Sequence, residues 1–219
     1  SYPLIAKPVD DGCSSAVKMI RNTEALEVYL EAIFREKDEL NDDLRESLKL
    51  QNREEFPRKS RVLIEELIES KGAKRFMEIT GGMMVGYNEQ DDLEYTIFHP
   101  SEALASLDIL SLEEKFLAGE GTNITPPRYD QNPERARKIG NHVKSELLRA
   151  AKILKIYGYA RIDAFVRIYS PDHVEVLIIE VNSLPGMTPA TAIFHQAAME
   201  KMKPIEFIDR IIQYGMKRK

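Results

Sequence analysis

The 219-residue chain has one cysteine, Cys13. A lone thiol cannot close an internal disulfide, so the fold must rest on its packed core, and a reducing cytoplasm is the simplest home. No apolar run approaches the roughly 18 residues that a membrane span requires, and no basic-apolar-small leader opens the chain. A net charge of -5 without any sustained Lys/Arg stripe argues against a general nucleic-acid surface, so phosphate binding, if present, must be local. His99, His142, His173 and His195 are scattered with no ligand spacing and are expected to be structural or solvent-facing. Internal repeats and low-complexity tracts are missing too. So is an initiator methionine: the chain opens with "SYPLIAKP", which already reads as a strand, and a natural N-terminal part is expected to precede it.

What is there is an ordinary globular composition, 43% hydrophobic and 31% charged, long enough for one large domain or two small ones. Residues 2 to 8 and "AVKMI" (16–20) read as the arms of a β-hairpin around the tip "DDGCSS". From Thr23, an expected N-cap, to about Leu50, apolar residues recur at helical intervals, as one long or two short helices. "RVLIEELI", "FMEITGGMMVGYN" and "LEYTIFHP" read as strands. The polar stretch Ala118 to Pro133 is long for a compact domain and reads as a functional loop. Residues 134–157 form an amphipathic helix, 159–168 and 174–182 two strands, and helices near 190–200 and 204–214 close the chain. The order predicts an α+β protein of two units, 1–69 and 70–219.

"YARIDAFVRI" and "VEVLIIEVN" flank the turn "YSPDH" and should pair antiparallel. With Tyr169 facing Val174 around a four-residue loop, Asp163 falls opposite Glu180 and Arg161 opposite Asn182. Alternation then gathers these four side chains on one face, with Ile162, Ala164, Ile179 and Val181 on the other. Two carboxylates about 5 Å apart repel by roughly 3 kcal/mol at an effective dielectric near 20. A shared proton, Arg161 or a cation must offset this. Carboxylate and amide oxygens are hard donors that suit Mg²⁺ or Mn²⁺ with phosphate; the alternative is a solvated face neutralised by Arg161.

The strings "GYARIDAFV" and "IIEVNSLPGMT" resemble the C-terminal signature of the ATP-grasp ligases, in particular the D-alanine:D-alanine ligase family, whose Glu-x-Asn-Thr-x-Pro-Gly-Met-Thr stretch is matched almost residue for residue by "EVNSLPGMT". The resemblance implies an ATP-grasp fold, two α+β subdomains with nucleotide between them, and an ATP-dependent carboxylate-amine ligase of cell-wall precursor synthesis. Asp163, Glu180 and Asn182 would hold two Mg²⁺ ions, with Mn²⁺ as a substitute. Arg161 and the Gly186 N–H would stabilise anionic intermediates, and Ser183, Gly186 and Thr191 would meet the second amino acid. "IAKP" resembles the strand whose lysine, here Lys7, reaches the nucleotide phosphates, and Gly12, Cys13, Ser14 and Ser15 resemble the phosphate loop. Glu65 would contact the nucleotide, with Glu66, Leu67 and Ile68 as the adenine edge. Lys115 would touch the γ phosphate from a loop that closes over the site.

The chain departs from the family pattern in places. Cys13 stands where serine is usual, Ser15-Ala16 replaces Val-Gly, and Phe116 lacks the hydroxyl of the usual tyrosine. Glu78 is the nearest acid to the family's Gly-x-Glu segment, and the acidic stretch 31–55 is longer than usual. The resemblance also implies an N-terminal substrate domain absent from this chain, so weak nucleotide binding and little turnover are expected of these residues alone. D-alanine or a similar small molecule is the expected partner, with no nucleic acid and no membrane; a homodimer of a full-length protein stays open. A different amino or hydroxy acid acceptor, or a nucleotide-binding module without turnover, are the competing readings.

Overall fold

The computed structural model describes residues 1–12, 14–51, 54–104, 123–188 and 191–217. They group into two compact units, one of Ser1–Glu69 and one starting at Ser70.

In the first unit, β1 (Leu4–Pro8) is the middle strand of an antiparallel sheet, flanked by β2 (Lys18–Ile20) and β3 (Val62–Glu66). Leu4 faces Ile20 on one side and Glu66 on the other. Helices α1 (Thr23–Ile33) and α2 (Asp42–Ser47) follow β2, so the helical stretch is two short helices. Asn22, not Thr23, caps α1, because its side-chain oxygen accepts from the Ala25 N–H at 2.8 Å; Asn41 does the same for α2. Tyr29, Ala32 and Ile33 on α1 bury against Ala6, Ile20 and Phe56, with Tyr29 and Phe56 edge to face at 5.5 Å. The Tyr29 hydroxyl, its pKa pushed up by burial, donates to the Ala16 carbonyl at 3.0 Å.

The second unit is built on an antiparallel sheet of six strands among the described residues. β4 (Arg75–Tyr87) lies between β8 (Tyr159–Ser170) on one edge and two short strands, β5 (Leu93–Ile97) and β6 (Ser101–Ala103), on the other. β7 (Asn123–Ile124) adds to β6 and β9 (His173–Asn182) to β8. β5 and β6 amount to one strand interrupted at Phe98-His99-Pro100, where proline has no N–H to give to a ladder.

Alternation along β4 assigns its two faces. Met77, Ile79, Met83 and Val85 pack, with Ala160, Ile162, Ala164 and Val166 of β8, against Ile139, Val143, Leu147 and Ala151 of α3 (Pro133–Ile153). On the opposite face Met84 packs with Phe98, Ile193 and Ala197 of α4 (Ala192–Met199) and Phe207 of α5 (Pro204–Lys217). Gly81 and Gly82 let both layers close in. A Cβ on Gly81 would sit 2.5 Å from the Leu147 Cδ1, and one on Gly82 would fall on the Gln196 side-chain oxygen and 3.0 Å from Ile193. No helix among the described residues is long and apolar enough to cross a membrane.

Candidate functional site

The second unit brings Arg161, Asp163, Glu180 and Asn182 to one face of the sheet. Arg161 is opposite Asn182, and Asp163 opposite Glu180. The turn behind this register is not the four-residue loop expected. Ser170 pairs with His173 around Pro171-Asp172, Ile168 pairs with Val174, and a second irregularity between Asp163 and Ala164 restores the pairing at the site. Two departures from regular pairing thus cancel. The irregularity also moves Ile178, rather than Ile179, opposite Ala164, so the apolar set predicted for the reverse face is corrected there. On the site face it leaves Phe165 beside Leu177 and Arg167 beside Glu175.

Asp163 is 4% exposed and is tied from two sides. The Arg161 guanidinium donates to it twice, Nε to Oδ1 and Nη2 to Oδ2, both at 3.0 Å. Across the ladder, Thr80 on β4 donates its hydroxyl to Oδ1 at 2.6 Å. Arg161 is therefore the neutralising partner in this structure. Beside this rung Phe76 and Phe165 stack with centroids 5.0 Å apart. One rung further, the buried Arg167 holds Glu175 at 3.0 Å and, through that hydrogen bond first, keeps its carboxyl below the usual range. Glu78, on the same face of β4 as Thr80, lies opposite Phe165.

After Asn182 the chain turns immediately. The Asn182 amide oxygen accepts from the Leu184 N–H at 3.3 Å, and Pro185 is buried between exposed neighbours, Ser183 and Leu184 before it and Gly186 to Thr188 after it. A Cβ on Gly186 would make only ordinary contact, 3.6 Å from Thr191 Cγ2. Packing among the described residues thus does not require glycine there. Thr191 starts α4, but its hydroxyl donates to the Thr188 carbonyl at 2.8 Å instead of capping the helix.

In the first unit Lys7, on β1, and Glu65, on β3, are joined by a 2.5 Å ion pair, with Lys7 largely buried. Glu66 ends β3, while Leu67 and Ile68 are half-buried beyond it. At the hairpin tip Gly12, Ser14 and Ser15 form successive tight turns, Ser15 N–H to Gly12 carbonyl at 3.0 Å and Val17 N–H to Ser14 carbonyl at 3.1 Å. Ser14 and Ala16 take φ near +55°, a conformation that costs a residue with a side chain. Lys59, which no sequence pattern singled out, bridges Asp10 and Asp11 at 3.1 Å each. Its ammonium is held above the usual lysine range by the hydrogen bonds to Asp11 and then Asp10. Cys13, Lys115 and Phe116 lie outside the described residues.

Thr80 and Gln196 were missed as well. Gln196 is completely buried on α4 and meets the break between β5 and β6. It accepts from the Gly82 N–H at 2.7 Å and donates to the Thr80 carbonyl at 2.8 Å and to Ser101 Oγ at 2.9 Å.

Comparison with known proteins adds to this geometry. A family model described as the D-ala D-ala ligase C-terminus matches residues 43–213. The D-alanine–D-alanine ligase of Nitratidesulfovibrio vulgaris is 27% identical over 98% of this chain and 56% of its own length. Among solved structures, the Bacillus anthracis D-alanine–D-alanine ligase complexed with ATP superposes with a TM-score of 0.58 at 20% identity, over 99% of this chain and 51% of that one. The VanG D-Ala:D-Ser ligase of Enterococcus faecalis does so at 0.57 and 19%, over 98% and 50%. These likenesses give the fold as ATP-grasp, and the chain spans about half the length of the curated relatives it matches.

Proposed function

The chain belongs to the family of D-alanine–D-alanine ligase C-termini, and from that premise we propose that it is the nucleotide- and cation-binding part of an ATP-dependent ligase that joins two D-alanines in making a peptidoglycan precursor. ATP phosphorylates the carboxylate of one amino acid, the amine of the second displaces phosphate, and ADP and the dipeptide leave. The observation that carries this is the pair of facing rungs, Asp163 against Glu180 and Arg161 against Asn182, running straight into the Pro185-Gly186 turn.

The donor set fits the group it would hold. Two carboxylates and an amide oxygen, with no histidine or thiolate among them, are hard ligands for Mg²⁺ or Mn²⁺. In this reading Asp163, Glu180 and Asn182 hold two such ions. Bound there, the cations neutralise phosphate oxygens during phosphoryl transfer. Arg161 turns its guanidinium toward the anionic carbonyl centre, where the Gly186 N–H is a second donor. Lys7 exchanges Glu65 for the nucleotide phosphates, assisted by the turn at Gly12, Ser14 and Ser15 and, on the family resemblance, by Cys13 and Lys115. Glu65 to Ile68 read the ribose and adenine, and Ser183 and Thr191 present hydroxyls to the second substrate.

Acceptor choice supports a second reading. A D-Ala:D-Ser ligase is about as similar in structure as the D-alanine enzyme, so an acceptor other than D-alanine is the runner-up.

Calorimetric titration with ATP, with and without Mg²⁺, tests the core of the proposal. Binding should require Mg²⁺, and Asp163→Asn or Glu180→Gln should weaken it at least about tenfold. Binding indifferent to Mg²⁺ and to both substitutions sinks it. Phosphate release with D-alanine, D-serine and hydroxy acids offered singly then separates the acceptors.

A further inference from the structure

We propose that Thr80 is a positioning residue for Asp163, and that Gln196 holds Thr80 in place for it; the inference rests on the reading of Asp163 as a cation ligand. Thr80 lies directly opposite Asp163 in the β4–β8 ladder. A hydroxyl has one proton to give, and at 2.6 Å Thr80 gives it to Asp163 Oδ1. Oδ1 also receives Arg161 Nε, whereas Oδ2 receives Arg161 Nη2. Oδ1 is thus fixed from β4 and β8 together. With a cation in place of the guanidinium, the Thr80 bond to Oδ1 would remain to orient the carboxylate. Ligating groups commonly depend on such outer partners for orientation.

Thr80 is itself anchored from α4. Its carbonyl and Ser101 Oγ both accept from Gln196 Nε2, while Gln196 Oε1 accepts from the Gly82 N–H. A flipped amide would set oxygen against two oxygens and NH₂ against an N–H, so this chain of contacts allows one orientation only. A helix, the broken edge of β4 and the candidate ligand are linked through one threonine. No sequence pattern joins these residues: the contacts link positions 83 and 116 apart.

The test is Mn²⁺ binding by the 219-residue chain, read from the electron paramagnetic resonance signal of free Mn²⁺, with urea unfolding of each variant alongside. Thr80→Val, which keeps the shape but not the donor, should weaken Mn²⁺ binding about 10- to 100-fold. Thr80→Ser should stay within about threefold of the parent. Where the valine variant does not fold, Thr80→Cys, a poor donor of similar size, replaces it with the same expectation. Parent-like Mn²⁺ binding by the valine or cysteine variant overturns the inference, and so does a serine variant as weak as either. A parent chain that binds no Mn²⁺, with or without ATP, removes the cation reading itself, an outcome seen before any variant is compared.

Discussion

Replacing Gln196 by leucine tests how the second unit is held together. Gln196 is 0% exposed and supplies the bonds that the interruption at Phe98-His99-Pro100 denies to β4. In the leucine variant the Gly82 N–H loses its 2.7 Å acceptor and the Thr80 carbonyl its 2.8 Å donor; Ser101 keeps Thr125 at 2.5 Å. Each stranded backbone group costs about 1–3 kcal/mol. Burying a leucine in place of an amide returns about 1–2 kcal/mol. At mid-range, two groups at about 2 kcal/mol each less about 1.5 kcal/mol leave a net loss of about 2.5 kcal/mol, which for a chain of this size lowers Tm by roughly 5–10 °C. Urea unfolding followed by circular dichroism measures it, with an unchanged m-value required for the comparison to hold. Gln196→Glu sharpens the test, because a carboxylate still accepts from Gly82 but opposes two oxygens; its deficit should shrink in acid, where the protonated form regains a donor. A leucine variant less than about 1 kcal/mol from the parent would refute the reasoning, since it would mean that water or relaxed backbone replaces all that Gln196 does.

Gly82→Ala sets a methyl on the Gln196 oxygen and against Ile193, and should cost about 1–3 kcal/mol in the same urea assay. Combined with Gln196→Leu it should cost a different amount from the sum, because both changes act on one contact. Glu175, held low by Arg167, contributes stability that is present above the ordinary glutamate value and lost as pH falls through its lower folded value. The stability difference between the parent and Glu175→Gln, measured by urea unfolding at a series of pH values, should therefore persist at neutrality and fade below about pH 4.5. Asn22→Ala removes the cap of α1 and should cost about 0.5–2 kcal/mol in thermal unfolding, whereas Thr23→Ala should cost far less.

The site rungs were legible in the sequence because alternation and a short turn leave few registers open. Even so, the right pairing at Asp163 and Glu180 came from a turn with the wrong length, corrected by an irregularity that no pattern announces. Asn22 and Thr23 are both good caps, and only the backbone decides between them. Thr80 was hidden because a hydroxyl in a strand is usually unremarkable and its partner lies 83 residues away. Gln196 left a trace: it is the polar residue between Ile193 and Ala197 on the apolar side of a short helix, a place where a buried amide must have a bonding task. Lys59 left none, since its two acids meet it only through the fold.

The Arg161–Asp163 pair argues for function over stability. Nearly all of Asp163 and most of Arg161 are removed from water, and the desolvation of such a pair consumes most of what its attraction returns; an apolar pair of similar volume commonly does as well or better. A sheet face built for stability alone would gain more from the valine and isoleucine that fill the reverse face of the same two strands. Instead the four side chains set two carboxylates and an amide against one guanidinium, and Thr80 on the neighbouring strand gives its only proton to one of those carboxylates. That arrangement has a use if the guanidinium is a placeholder, holding Asp163 in a fixed orientation at the proposed cation site. Under the proposed function, a cation held by Asp163 would take the place of Arg161 and leave its guanidinium to serve the reacting centre.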